Sequence, residues 1–254
     1  MDQSSPSHGS PVVSLRGVSK SYATGVQALA DFDLVIRAGE FVSFLGPSGC
    51  GKSTALRIVA GLSAATAGRV EWPNGEAPIG FVFQDPTLMP WATVEKNVAL
   101  PLTLSGRDDS TAVADVLQHV GLHDFASSYP RELSGGMKMR ASIARALVTG
   151  PDLLLMDEPF AALDEITRFK LNNELLGLWH ESKRTVVFVT HSVFESVFLS
   201  QRIVVMTPRP GRVFTEIAIP AAYPRDENFR TSVEYADFCS QVGKALRAAI
   251  GEAG

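Results

Sequence analysis

The stretch Phe41-Val-Ser-Phe-Leu45-Gly46-Pro47-Ser48-Gly49-Cys50-Gly51-Lys52-Ser53-Thr54 decides how this chain folds. The run from Phe41 to Leu45 is apolar apart from Ser43 and reads as a strand covered on both faces. From Gly46 to Ser53 the spacing fits G-x-x-x-x-G-K-[ST]. Glycines let the backbone curl until successive N–H groups converge on phosphate oxygens. A helical run over 54–61, beginning near Lys52, turns the positive end of its dipole to the same point. In that setting Lys52 reaches β- and γ-phosphates and the Ser53 hydroxyl ligates Mg2+. Cys50 reads either as a small space-filler or as a thiol that makes the protein sensitive to alkylation.

Three more apolar runs lie downstream, at 79–83, 153–156 and 186–189, each followed by a polar residue. Gln84 comes directly after the first. Asp157 and Glu158 end the second, where Asp157 is placed to hold Mg2+ and Glu158 to polarise an attacking water. His191 follows the third. Helical spacing between the runs, as in Leu171, Leu175 and Leu178, predicts an α/β fold with a mostly parallel sheet. Ligands then bind at the carboxyl edge of the strands, where all four polar segments fall.

The remaining sequence divides around this core. Residues 1–11 read as a disordered leader. Phe32, Leu34 and Ile36 alternate with Asp33, Val35 and Arg37, the period of a half-buried strand. Residues 86–150 read as helices and polar loops, a helical lobe inserted into the α/β core. In the tail, Thr231 and Glu234 are spaced as a capping box, and Phe238, Val242, Leu246 and Ile250 recur every fourth residue. This helix either packs on the core or meets a partner.

Composition narrows the function classes. The chain has 254 residues, 45% of them hydrophobic and 20% charged, which allows one large domain or two small ones and excludes a disordered chain. With a net charge of -4 and no basic block, it is not built to wrap nucleic acid. No apolar run reaches the ~18 residues of a membrane span. The first ten residues lack a secretion signal, and Cys50 and Cys239 form no CxxC pair, as in a reducing compartment.

Leu133-Ser134-Gly135-Gly136-Met137, ahead of the basic residues Lys138, Arg140 and Arg145, is the most specific segment. Together with the segments above, it makes the chain resemble the ATP-binding subunit of an ABC transporter. The resemblance spans 12–212. It implies a P-loop core with an N-terminal antiparallel β portion, a nucleotide-binding domain over 12–220 and a tail over 221–254. It also implies that Tyr22 stacks on adenine and that residues 46–54 hold the phosphates of ATP. Gln84 senses Mg2+ and the γ-phosphate, Asp164 in Ala162-Leu163-Asp164 communicates across a dimer, and His191 is a switch at the γ-phosphate. Ser134, Gly135 and Gly136 would serve the nucleotide of a second copy, in a head-to-tail dimer with ATP at the interface.

A narrower likeness to the nitrate/sulfonate/taurine importer branch rests on Gln84-Asp-Pro-Thr-Leu-Met-Pro90-Trp91, Met137, Thr167-Arg168 and Pro208-Arg-Pro-Gly211-Arg212. Met139 and Ala161 depart from that pattern. The branch implies ATP hydrolysis at the cytoplasmic face of the membrane, driving import through an integral membrane permease supplied by an extracytoplasmic solute-binding protein. Trp91 is either a permease contact or a buried residue. A soluble ABC ATPase without a transport role is the alternative class. Bicarbonate or a pyrimidine precursor are alternative solutes.

Overall fold

The period of two over 32–37 becomes a strand in which Phe32, Leu34 and Ile36 are buried and Asp33 is exposed. The computed structural model describes residues 9–251. The leader expected over 1–11 therefore lies outside the described residues as far as residue 8, and Pro11 already opens a strand. β1 (Pro11–Ser21) and β2 (Gln27–Arg37) pair antiparallel. β3 (Phe41–Leu45) leaves this layer and leads into α1 (Lys52–Val59). β4 (Ala67–Glu71) returns to β1 and completes a three-stranded antiparallel sheet in the order β2-β1-β4.

β5 (Ile79–Val82) opens the second sheet's far edge, and the chain then turns helical. α2 (Val94–Leu104), α3 (Ser110–His119) and α4 (Gly135–Leu147) fill the interval read as a helical lobe, with short 3-10 turns at His123–Phe125 and Pro130–Glu132. Thr93, Asp109 and Ser134 cap the three helices by accepting from the N–H groups of Lys96, Ala112 and Met137. Val94, Val98, Leu102, Val113 and Leu117 close on Ala141 and Ala144 as a core separate from that of the sheets.

After the lobe come β6 (Leu153–Asp157), α5 (Glu165–Ser182), β7 (Thr185–Thr190), α6 (Val193–Leu199), β8 (Arg202–Met206) and β9 (Val213–Ala218). The second sheet has six strands in the order β5-β6-β7-β3-β8-β9, parallel except for β9. Four apolar strands are expected from the sequence; β8, with Ile203, Val204, Val205 and Met206 all buried, is a fifth parallel one.

The continuous apolar runs have a simple cause. Phe41 and Leu45 of β3 face one buried cluster with Met156, Phe188 and Trp179. Val42 and Phe44 face the other with Phe32, Leu56 and Val189. Both faces of the strand are covered, so both parities must be apolar. Each fully buried side chain of this size contributes ~1.5–3 kcal/mol. No helix among the described residues is long and apolar enough to cross a membrane.

The tail follows as α7 (Glu227–Arg230) and α8 (Val233–Gly251). Thr231 does not cap α8: its hydroxyl donates to the carbonyls of Glu227 and Asn228 and closes α7. Ser232 Oγ instead accepts from the N–H of Tyr235 at 3.1 Å. The four-residue repeat also drifts, by about 40° per step on a helix of 3.6 residues per turn. Val242 is buried but Ile250 is 46% exposed, and Tyr235 and Ala249 complete the inner face. α8 packs on α6, β8 and β9, so the helix serves the core.

Arg225 locks this arrangement. It is buried, and its guanidinium donates to the carbonyls of Val197, Phe198 and Ser200 at the end of α6 and to those of Ile219 and Ala221. The rings of Tyr223 and Phe229 lie 4.1 and 5.3 Å from its Cζ. Terminal carbonyls of α6 that have no helical partner are thus satisfied by one side chain. Arg225→Met keeps most of the volume and removes the donors. Urea unfolding should show a loss of about 3 kcal/mol or more; a loss under about 1 kcal/mol would contradict this role for Arg225.

Candidate active site

Strand register assembles the site. Leu45 pairs with Thr190, Asp157 with Val189 and Val82 with Met156. Gly46, His191 and Glu158 therefore leave adjacent strands at nearly one level, and Gln84, two residues beyond Val82, lies at the level of Glu158.

The loop after β3 turns at Gly51, which has φ 106 and opens α1 without a side-chain cap. An L side chain rarely adopts that conformation, and a Cβ there would stand 2.6 Å from the carbonyl oxygen of Ala28. Lys52 starts the helix and is buried. Its Nζ donates to the carbonyls of Gly46 at 2.8 Å and Pro47 at 3.0 Å and lies 3.5 Å from Glu158 Oε1. Ser48 is exposed at the tip of the loop. Cys50 is buried, and burial raises its thiol pKa, so of its two readings the structure favours space-filling over reactivity.

Glu158 sits at φ 47, a left-handed conformation found mainly where surrounding structure enforces it. Its Oε2 is 3.2 Å from His191 Nδ1, which extends the contact chain from Lys52 to His191. Next to it, the Ser53 hydroxyl donates to Asp157 Oδ1 at 2.6 Å. Burial raises the Asp157 pKa; the Ser53 bond and the charges of Arg57 and Lys52 oppose the shift without cancelling it. A hydroxyl and an under-compensated buried carboxylate form a hard oxygen donor pair, which fits Mg2+.

Lys52, Ser53 and Glu158 border a cleft of about 230 Å³, while Asp157 and His191 stand behind them, held by Ser53 and Glu158 and not lining it. Tyr22 lines the cleft from the turn after β1, Ala28 from β2, and Gly49, Gly51, Ser53 and Thr54 from the loop and α1. The Tyr22 hydroxyl lies 3.2 Å from Thr54 Oγ1, and the ring is 41% exposed. Gln84 is exposed past the end of β5 and does not line the cleft. A larger, mostly apolar cavity of about 410 Å³ lies between α3 and α5, lined by Val116, Leu178 and Trp179, and holds none of the candidate residues.

Ser134, Gly135, Gly136 and Asp164 are not at this cleft either. Ser134 and Gly135 are exposed, and a Cβ on Gly136 would come within 2.8 Å of Thr167 Cγ2. Asp164 accepts from the N–H and hydroxyl of Thr167 at 2.9 and 2.7 Å, bonds that lower its pKa. The Ser-Gly-Gly turn and the Ala-Leu-Asp loop thus adjoin each other on a separate exposed surface of the same chain. Met139, one of the two departures from the branch pattern, is buried in the core.

Two groups near the site escape sequence reasoning. Arg209 lines the cleft from the loop after β8; the sequence marks it only within the segment Pro208-Arg-Pro-Gly211-Arg212 and gives it no place at the cleft. Beneath His191, the Thr190 hydroxyl donates to Glu195, which faces Arg168 at 3.8 Å, while Arg168 donates to the Leu163 carbonyl at 2.8 Å. No spacing rule links these three residues; the packing of α5 against α6 does.

A family model described as ABC transporter matches residues 29–161. An uncharacterized ABC transporter ATP-binding protein of Methanocaldococcus jannaschii is 47% identical over 230 residues, covering 87% of this chain and 85% of that protein. An aliphatic sulfonates import ATP-binding protein of Bacillus cereus is 43% identical over 226 residues, covering 85% of this chain and 89% of that protein. Among solved structures, a dimeric ATP-binding cassette in a post-hydrolysis state with ADP and Pi superposes with a TM-score of 0.73 at 35% identity, over 83% of this chain and 100% of that one.

The buried carboxylate at Asp157 has a measurable consequence. Its raised pKa means that its contribution to stability is full below the ordinary Asp pKa and is lost as pH rises through the raised value. At neutral pH the charge therefore destabilises the nucleotide-free fold. Asp157→Asn should raise the thermal midpoint at neutral pH by about 2–4 °C. The gain should shrink as acid protonates the wild-type carboxyl; an equal gain at both pH values would show that burial of the charge is not the cause.

Proposed function

The chain belongs to the ABC transporter family, and on that premise we propose that it is the ATP-hydrolysing subunit of an importer of the sulfonate, nitrate and taurine type. The observation that carries the enzymatic part of this reading is the contact chain from Lys52 through Glu158 to His191, whose first two members line the cleft. A lysine able to turn from loop carbonyls to phosphate oxygens, beside a carboxylate held against an imidazole, is a device for hydrolysing a terminal phosphate.

In this reading Tyr22 stacks on adenine, and the amides of residues 46–54 wrap the phosphates. Lys52 moves onto the β- and γ-phosphates. Glu158 orients the attacking water and accepts its proton, and His191 holds Glu158 and the γ-phosphate in line. Ser53 and Asp157 would hold Mg2+, and Gln84, outside the cleft in the nucleotide-free chain, would join them when nucleotide binds; the ion would neutralise phosphate charge.

Ser134, Gly135 and Gly136 act on the nucleotide of a second copy. The exposure of Ser134 and Gly135 outside their own cleft supports this, as does the dimeric form of the similar cassette. Asp164 beside them carries the signal between copies. Only the closed pair satisfies every donor around the phosphates, so ATP shifts the population toward closure and loss of the γ-phosphate releases it. The exposed Trp91, at 76%, lies in the segment that meets the membrane permease, and a solute-binding protein outside the cell feeds that permease. The likeness to the Bacillus sulfonate import protein supports the solute class.

Glu158→Gln should bind ATP with Mg2+, hydrolyse it at least about 100-fold more slowly and elute as a dimer on size-exclusion chromatography with light scattering. Adding Ser134→Arg to that variant should restore the monomer; a monomer without it, or a dimer despite it, rules out the trans-acting turn. Cells deleted for this gene should fail to grow on an aliphatic sulfonate, taurine or nitrate as the only source of its element. Unimpaired growth on all three would exclude the solute class.

A further inference from the structure

The loop between β8 and β9 closes the cleft with a residue to which no role has yet been given. Arg209 is exposed there, lines the cleft with Tyr22, Val26 and Lys52, and donates from Nε to the Gly49 carbonyl at 3.1 Å. That bond engages the tip of the phosphate loop itself. It uses one of the five N–H groups of the guanidinium.

The loop carrying Arg209 is held firmly. Gly211 donates to the Ala28 carbonyl at 2.9 Å and accepts from the N–H of Ala30 at 3.1 Å, which zips the loop to the start of β2. Gly211 also approaches the phosphate loop so closely that a Cβ would stand 2.1 Å from the Cys50 carbonyl oxygen. The Thr207 hydroxyl donates to the Pro210 carbonyl at 3.1 Å and accepts from the N–H of Arg212 at 3.0 Å. Arg212 in turn donates to Asp31 at 3.1 Å. A side chain presented from such a loop needs little ordering to meet a ligand.

Charge in the cleft gives Arg209 a task. Lys52 is the other cation lining it, and its Nζ is shared between two carbonyls and the Glu158 carboxylate. Glu158 adds negative charge to the same space. A nucleoside polyphosphate brings more negative charge than one shared ammonium balances. A planar guanidinium matches phosphate oxygens two at a time.

We propose that Arg209 is a nucleotide ligand: while anchored on Gly49, its guanidinium binds oxygens of the phosphate chain of a nucleoside di- or triphosphate. This rests on the reading of the cleft as the nucleotide site. Arg209 contributes affinity to ATP and ADP alike, because it reaches the loop tip and does not belong to the contact chain of Lys52, Glu158 and His191.

Isothermal titration of the full chain with ADP and with adenylyl imidodiphosphate, both with Mg2+, tests the proposal. Arg209→Ala and Arg209→Gln should each weaken both ligands about tenfold, with the thermal midpoint of the nucleotide-free chain unchanged. Arg209→Lys, which keeps the charge, should retain most of the affinity. Glutamine can still donate to the Gly49 carbonyl, so wild-type affinity in Arg209→Gln would reduce Arg209 to a buttress and overturn the proposal. Wild-type affinity in all three variants would do the same. Lys52→Ala separates the two levels. If it abolishes binding while Arg209→Ala does not change it, only the role of Arg209 falls; if neither changes binding, the nucleotide site falls as well.

Discussion

Parallel pairing of β3 with β7 and of β7 with β6 is the constraint on which the rest depends. Lys52, Glu158 and His191 come from three parts of the chain separated by long stretches of sequence, yet they form one contact chain. Nothing local brings them together. Glu158 and His191 lie just past the carboxyl ends of β6 and β7, Lys52 opens the helix after the loop that leaves β3, and hydrogen-bond register sets those three strand ends level. A slip of one residue in β7 would exchange Phe188 and Val189 between opposite cores, so burial on both faces protects the register and with it the site.

Electrostatics then makes the site tense. Lys52 is buried and satisfied by carbonyls of its own loop, Glu158 is held in a left-handed conformation, and Asp157 is buried with less positive charge nearby than its carboxylate requires. The backbone of Glu158 and the buried charge of Asp157 are unfavourable for a resting fold, and in the proposed function both are set for a polyanion with its cation. Stability is supplied elsewhere, by continuous apolar strands and by helix α8, whose buried face closes over α6.

α6 connects these two halves. Its first turn follows His191 directly, and its Glu195 holds the Thr190 hydroxyl and faces Arg168. Tyr235 of α8 donates to the Phe194 carbonyl at one end of α6 and Arg225 caps the other. The residues after β7 therefore stand on a helix gripped at both ends by the tail, which is why a segment far from the cleft in sequence bears on its geometry.

Much of this was legible in the sequence, and the reasons are local. The alternation over 32–37, the doubly apolar runs around Phe44, Leu155 and Val187, and the glycines before Lys52 each follow from burial or backbone stereochemistry within a few residues. The α/β class and the gathering of polar residues at one edge came from such signals. The tail cap was misplaced by one residue, because Thr231 and Ser232 are chemically alike and only the end of α7 decides between them. Strand order, the fifth parallel strand, the exposure of Trp91 and the approach of Arg209 to Gly49 were settled by tertiary structure alone. They depend on which surfaces meet across the chain, and pairings between distant segments leave no period or spacing in the sequence for a reader to find.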